Sequence, residues 1–242
     1  MGRYSRALAP KLIEFAEIES GMYVLDVGCG PGALAERLAE RVGPELVSAA
    51  DPSEPFVAAC AERVPGADVR RADAEELPWR EGAFDAALAQ LVVNFMRDAH
   101  AGVAEMRRVV RRRGLVVACT WDYGAGMQML RAFWDAARAL DPAAPDEGRT
   151  MRFTSSEELE ELWRAIRLDD VETGPLVVET TYADFDDLWE PLILGVGPAG
   201  AYCKSLKPKR RRALRDELFV RLGSPDGPFA LSARAWAVRG LR

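Results

Sequence analysis

One histidine in 242 residues is the first constraint on what this chain can do. It removes most histidine-rich metal sites and histidine-dependent catalytic triads. Cysteine is nearly as scarce. Cys29, Cys60, Cys119 and Cys203 are widely spaced with no Cys-x-x-Cys pair, so a structural zinc site has too few ligands. Cys29 stands in a glycine loop, where it reads as a small side chain, and the sequence places no base near it to make it a nucleophile. Long apolar runs are missing too: none approaches the roughly 18–20 residues that a membrane span needs. Arg3, Arg6, Lys11 and Glu14 precede any apolar stretch, so no secretory signal is legible and a reducing cytoplasm is the expected location. Positive charge is in deficit. A net charge of -6 is a poor basis for nonspecific nucleic-acid binding, which requires a basic face.

What is present is an ordinary globular composition, 49% hydrophobic and 29% charged, and a length ample for a buried core. The first half alternates short apolar runs with amphipathic stretches. Strands are expected at residues 22–27, 45–50, 67–71, 84–89 and 115–120. Helices are expected at 5–19, 32–42, 53–63 and 98–110, with Ser53 as a cap. Such alternation implies a parallel sheet covered on both faces by right-handed crossovers. Beyond Trp121 the pattern changes to helices at 126–140 and 155–166, a basic helix at 205–222, and two late strands at 171–181 and 231–238. Thr154-Ser155-Ser156-Glu157-Glu158 is a strong helix start, with acids in the first turn.

The chemistry concentrates in Val24-Leu25-Asp26-Val27-Gly28-Cys29-Gly30-Pro31-Gly32, a strand running into three alternate glycines and then a helix. Glycine is needed where backbone turns sharply and must approach a ligand without a Cβ. The helix start that follows offers free N–H groups to a carboxylate or phosphate. Asp51, nineteen residues past Gly32, ends the next strand and is followed by Pro52. A carboxylate there can accept from both hydroxyls of a ribose. Asp73 and Ala74 follow the third strand, where an acid and a backbone N–H can meet an exocyclic amine and a ring nitrogen. No Lys-Ser/Thr follows the glycines, which excludes a Walker phosphate loop, and the spacing differs from the Gly-x-Gly-x-x-Gly of dinucleotide dehydrogenases.

In this order, VLDVGCGPG, the acid at the second strand end, Ala-Asp after the third and FDAALAQ as the fourth resemble the class I S-adenosylmethionine-dependent methyltransferases. The resemblance is particularly to the small-molecule branch that includes ubiquinone- and menaquinone-biosynthesis-like enzymes of methyltransferase type 11. It covers residues 5–122 well and the rest loosely. It implies an α/β Rossmann-like three-layer sandwich with a mostly parallel seven-stranded sheet, an antiparallel C-terminal hairpin and helical insertions. It further implies one domain over 1–242, with a cofactor core at 1–122 and insertions within 123–230 that form the acceptor pocket. By the same resemblance Asp26, Gly28, Cys29, Gly30 and Gly32 hold the methionine part of S-adenosylmethionine, Asp51 and Pro52 the ribose, and Asp73 and Ala74 the adenine. Gln90 and Leu91 lie beside the sulfonium, and Tyr4 and Arg6 fall where a lid is often found.

Two departures matter. The segment Leu91-Val92-Val93-Asn94-Phe95 lacks the histidines that many relatives carry there, and it lacks the Pro-Pro-aromatic motif of nucleobase amine methylation. The expected partner is therefore a small organic acceptor, with Asp122, Tyr123 and His100 as the candidates for a base. The alternatives are an RNA or protein methyltransferase guided by the basic 204–215 stretch, and a noncatalytic cofactor-binding module.

Overall fold

The structure is a computed structural model that describes residues 2–242. In chain order it comprises α1 (Gly2–Phe15), β1 (Val24–Val27), α2 (Ala33–Val42), β2 (Val47–Asp51), α3 (Glu54–Arg63), β3 (Asp68–Arg71), β4 (Phe84–Gln90) and α4 (Ala99–Val109). There follow β5 (Val110–Trp121), α5 (Gln128–Leu140), α6 (Ser156–Ala165), β6 (Asp169–Tyr182), α7 (Phe185–Ile193), α8 (Gly197–Ser205), α9 (Pro208–Arg221) and β7 (Phe229–Leu241). The seven strands form one sheet in the order β3-β2-β1-β4-β5-β7-β6. β1 pairs in parallel with β2 and β4, β2 with β3, and β4 with β5, whereas β5 and β7 run antiparallel. This is the expected Rossmann-like sheet with its antiparallel C-terminal strand. No helix among the described residues is long and apolar enough to cross a membrane.

The chain folds as two compact units. The first comprises the residues up to Trp121, then Arg152–Leu176 and Ala235–Arg242; the second comprises Asp122–Met151 and Val177–Arg234. In the first unit the all-buried β1 explains its composition: a central strand faces helices on both sides. Leu25 and Val27 join Ala87, Ala89, Val103, Met106, Leu159 and Trp163 in the core on the α4 and α6 face. By the two-residue alternation of a strand, Val24 and Asp26 point to the opposite face. The order of the sheet reverses at β1, whose neighbours continue in opposite directions, so the loops after β1 and β4 diverge and leave a crevice.

Local signals were realised unevenly. Ser155 accepts the Glu158 N–H at 3.2 Å while Glu158 Oε2 accepts the Thr154 N–H at 2.8 Å, a reciprocal cap of the kind its sequence implies. Ser53 does occupy the cap position of α3, but its hydroxyl makes no capping bond; its N–H instead donates to Asp51 Oδ1 at 2.9 Å. α1 ends at Phe15, not at residue 19, because Glu17 turns to a φ of 52°. β5 begins at Val110, not at residue 115, and takes in Arg111–Gly114, with a register shift opposite Phe84 and Ala86.

The second unit is built on α5, α7, α8 and α9. Phe133 and Trp134 meet edge-on at 5.1 Å, and the Trp134 ring lies 5.5 Å from Tyr202. The Arg131 guanidinium grips both oxygens of Asp146 at 3.0 and 2.7 Å, and Trp134 Nε1 donates to Glu147 at 3.1 Å. Burial raises the Glu147 carboxyl, and the Trp134 N–H offsets that in part.

In the first unit Trp163 is fully buried and donates its Nε1–H to the Val116 carbonyl at 3.0 Å, fastening α6 to β5. Trp163→Ala removes that volume and the bond together. The expected loss is about 3–5 kcal/mol in urea unfolding, with the slope of the transition unchanged.

Candidate cofactor site

Gly28, Gly30 and Gly32 have φ of 71°, 51° and 87°, so the loop from β1 to α2 is left-handed at each of its glycines. A Cβ on Gly28 would stand 2.5 Å from both methyls of Val92, a second reason for glycine there. At Gly30 the space over the Cα is open. The N–H groups of Gly28 and Cys29 both donate to the Ala50 carbonyl, at 2.8 and 2.9 Å, which docks the loop on the end of β2. Asp51 completes the clamp: Oδ2 accepts the Gly30 N–H at 2.9 Å and Oδ1 the Ser53 N–H at 2.9 Å. The strand-end acid that marks the motif in sequence is thus also the brace that shapes the glycine loop.

Beside this loop lies a cavity of about 340 Å³. Of the residues singled out in the sequence, Gly28, Gly30, Asp51, Pro52, Asp73, Ala74, Gln90 and Leu91 line it. Asp26, Cys29 and Gly32 do not: Asp26 is buried beneath the loop, Cys29 is turned inward, and Gly32 starts α2 against Cys60. The Cys29 thiol is pushed well up by its contact with the Cys60 thiol and by burial, so it is protonated and poorly nucleophilic.

Sequence reasoning missed the rim. Phe56 and Phe95 line the cavity although 47% and 62% exposed, and their signal was available as large aromatics just past the ends of β2 and β4. Arg97 also lines it and donates to Asp73 Oδ2 at 3.0 Å, while the Asp98 N–H donates to Glu75 at 3.1 Å. No sequence signal links Arg97 to Asp73, since the pairing depends on the loops after β3 and β4 being brought together. Leu91 is held at a φ of 64°, unusual for a leucine, with its N–H donating to the Cys119 carbonyl at 2.8 Å.

Two side chains here carry orphaned acceptors. Neither oxygen of Asp26 has a hydrogen-bond partner, and Gln90 Oε1 has none, although Gln90 Nε2 donates to the Ser5 carbonyl at 3.1 Å. Burial raises the Asp26 carboxyl to about 7; the nearby Ala35 N–H opposes this only in part, and the Asp51 charge adds to it. Such unsatisfied buried groups are uncommon and call for a donor.

The other candidates are placed differently. His100 is exposed on the first turn of α4, its backbone N–H donating to the capping Asp98. Tyr4 is buried against the edge of Trp121, and Arg6 is exposed. In the second unit, Asp122 Oδ2 takes the Arg234 Nε–H at 3.0 Å and Oδ1 the Ala125 N–H at 2.9 Å. Burial would raise this carboxyl, but Arg234 and the local N–H groups outweigh it and hold it low. Tyr123 is buried, with its carbonyl accepting from Arg131 at 3.0 Å. Part of the basic stretch is engaged inside its own unit: Arg211 caps the carbonyls of Cys203, Lys204 and Leu206, and Arg215 pairs with Asp186, while further along α9 Arg221 pairs with Glu217.

Comparison with known proteins fits this architecture. Residues 25–118 match the model of a family described as methyltransferase domain. The chain is 30% identical over 149 residues to a malonyl-[acyl-carrier protein] O-methyltransferase of Geobacter sulfurreducens, covering 60% of this chain and 55% of that protein. It is 31% identical over 115 residues to a demethylmenaquinone methyltransferase of Desulfitobacterium hafniense, covering 45% and 46%. The chain thus spans about half the length of the curated relatives it matches. Among solved structures, the YcgJ protein of Bacillus subtilis superposes with a TM-score of 0.62 at 18% identity, over 99% of this chain and 98% of that one. A phosphoethanolamine N-methyltransferase of Haemonchus contortus, solved with S-adenosylhomocysteine, gives 0.58 at 17% identity over 99% and 52%. At these identities the two structures speak for the fold alone.

The raised Asp26 carboxyl has a pH signature. Both folded and unfolded chains hold this proton below roughly pH 4, but between there and about 7 only the folded chain keeps it. Its contribution to stability is therefore full in acid and lost as pH rises through about 7. Asp26→Asn removes the charge but not the shape. Against wild type, the variant is expected to gain little at pH 4 and on the order of 3–4 kcal/mol at pH 8 in urea unfolding of the ligand-free protein.

Proposed function

We propose that the chain, whose residues 25–118 match a methyltransferase domain model, transfers a methyl group from S-adenosylmethionine to a small, partly apolar organic acceptor. The observation that carries the reading is the pairing of a braced glycine loop, open over Gly30, with two buried side chains whose acceptors lack donors. This arrangement fits the cofactor. The loop from Gly28 to Gly32, with Asp26 beneath it, would hold the methionine end. Asp51 and Pro52 would take the ribose, Asp73 and the Ala74 N–H the adenine, and Gln90 and Leu91 the region of the sulfonium. When bound, S-adenosylmethionine supplies an electrophilic methyl on a good neutral leaving group.

The work left to the protein is alignment and exclusion of water. The strained turn at Leu91 and the braced loop are rigid backbone on either side of the crevice, and rigid placement is worth a large part of the rate in a direct displacement. Gln90 acts in the same place, its amide held by Ser5 and its oxygen left for a donor. Asp122, held low by Arg234, is a weak base and serves as a structural anchor of its own unit. Methyl transfer to an already nucleophilic acceptor asks for no base at all.

The malonyl-carrier and demethylmenaquinone enzymes among the relatives support a small acceptor. The basic stretch argues less for a nucleic-acid substrate, because Arg211 and Arg215 within it are engaged by helix-end carbonyls and by Asp186 in their own unit.

Isothermal calorimetry with S-adenosylhomocysteine tests the proposal. Wild type is expected to bind, Asp73→Ala to bind roughly tenfold more weakly, and Asp51→Ala on the order of a hundredfold more weakly, since Asp51 also braces the loop. Absence of binding by the wild type, or binding indifferent to Asp51→Ala in a folded variant, overturns it.

A further inference from the structure

The second unit holds a concavity of its own, sharing no lining residue with the cofactor cavity. It is a hole of about 130 Å³ where α5, α8 and α9 meet. Its walls are Ala137, Leu140, Leu206, Ala213 and Leu214. For scale, an apolar cavity of about 150 Å³ holds a benzene molecule, so this one takes a single ring or a short acyl chain.

Three polar side chains complete the lining, Tyr202, Asp141 and Arg210, and both charged groups act on the Tyr202 hydroxyl. The Tyr202 ring is fixed by Trp134 at 5.5 Å and Phe133 at 6.4 Å, yet its hydroxyl makes no hydrogen bond among the described residues. Asp141 Oδ1 is already engaged by the Ala143 N–H at 3.0 Å. Arg210 meets Asp141 Oδ2 only at 3.4 Å, the outer limit of a hydrogen bond, with 70% of its side chain exposed. Asp141 is the only carboxylate lining the pocket among the described residues. The same stretch of chain carries Lys207, Lys209 and Arg212, which have no carboxylate partner among the described residues. Burial and the Asp141 charge, opposed in part by Arg210, raise the Tyr202 hydroxyl and keep it protonated as a donor. An apolar hole with a few convergent polar groups is the ordinary anatomy of a small-ligand site.

We propose that this pocket binds a small apolar carboxylic acid, its ring or short chain seated among Leu140, Leu206 and Leu214 and its carboxylate held by Arg210 and the Tyr202 hydroxyl. The ligand carboxylate replaces Asp141 as the close partner of Arg210 and supplies the acceptor that the Tyr202 hydroxyl lacks. An amine finds no second carboxylate here, and a neutral alcohol leaves the guanidinium with its long contact. The site stands independently of the methyl-transfer reading, because no residue of the cofactor cavity takes part.

Fluorine NMR with para-fluorobenzoate on the full chain tests this, with para-fluorobenzyl alcohol as the neutral isostere. The acid is expected to bind saturably and about tenfold more tightly than the alcohol, the gain of one charge-assisted hydrogen bond. Arg210→Gln should equalise the two probes, and the fold should survive because an exposed ion pair of this length contributes little. Ala213→Phe, on an exposed helical position, should fill the hole and abolish binding of both. An unchanged circular dichroism spectrum establishes that each variant is folded. The proposal is overturned if neither probe binds wild type saturably, if the two bind equally well, or if either folded variant binds the acid as wild type does.

Discussion

Three left-handed residues within five positions, between the end of β1 and the start of α2, impose the constraint around which the first unit is arranged. Only glycine adopts that path cheaply, and a loop of glycines is floppy unless something holds it. Here the holding is done by β2: the Ala50 carbonyl takes two N–H groups of the loop, and the Asp51 carboxylate takes a third together with the N–H that leads into α3. One acid therefore sets the geometry of two successive strand-to-helix turns. It does so at the carboxyl edge of the sheet where the strand order reverses and a crevice opens.

The cost of that crevice is visible in the same place. Asp26 is buried without a donor, Gln90 Oε1 is buried without one, and Leu91 is held in a conformation that disfavours a branched side chain. Each of these lowers the stability of the ligand-free chain, and each would be relieved or justified by a ligand carrying hydrogen-bond donors into the crevice. Stability and function oppose one another here. The well-packed core around Trp163, Val103 and Met106 on the other face of the sheet is what allows the first unit to carry the deficit.

The second unit illustrates how polar residues change meaning with context. Asp122 follows directly on β5, a position that suits a catalytic base, yet its oxygens are occupied by Arg234 and by the N–H of Ala125. Arg234 lies over a hundred residues further along the chain, so nothing local in the sequence could announce the pairing. The basic stretch behaves likewise. Arg211 closes the end of α8 and Arg215 reaches Asp186, which turns an apparent cationic face into internal scaffolding in those positions. Lys207, Lys209 and Arg212 are not drawn into such pairs among the described residues.

The sequence by itself determined the order of strands and helices in the first half, the glycine loop, the acids at the ends of β2 and β3, and the cap at Ser155. All of these are written in short-range patterns: strand and helix periodicities, the backbone freedom of glycine, and side chains that bond a few residues away. Tertiary structure alone decided that Asp51 braces Gly30, that Arg97 meets Asp73, that Asp26 is stranded without a donor, and that Asp122 is spent on Arg234. It also decided that Ser53 gives its N–H, and not its hydroxyl, to the turn at α3. Hydrogen bonds and burial are properties of distance in space, and a chain folded back through parallel crossovers brings together residues whose separation in sequence carries no trace of it.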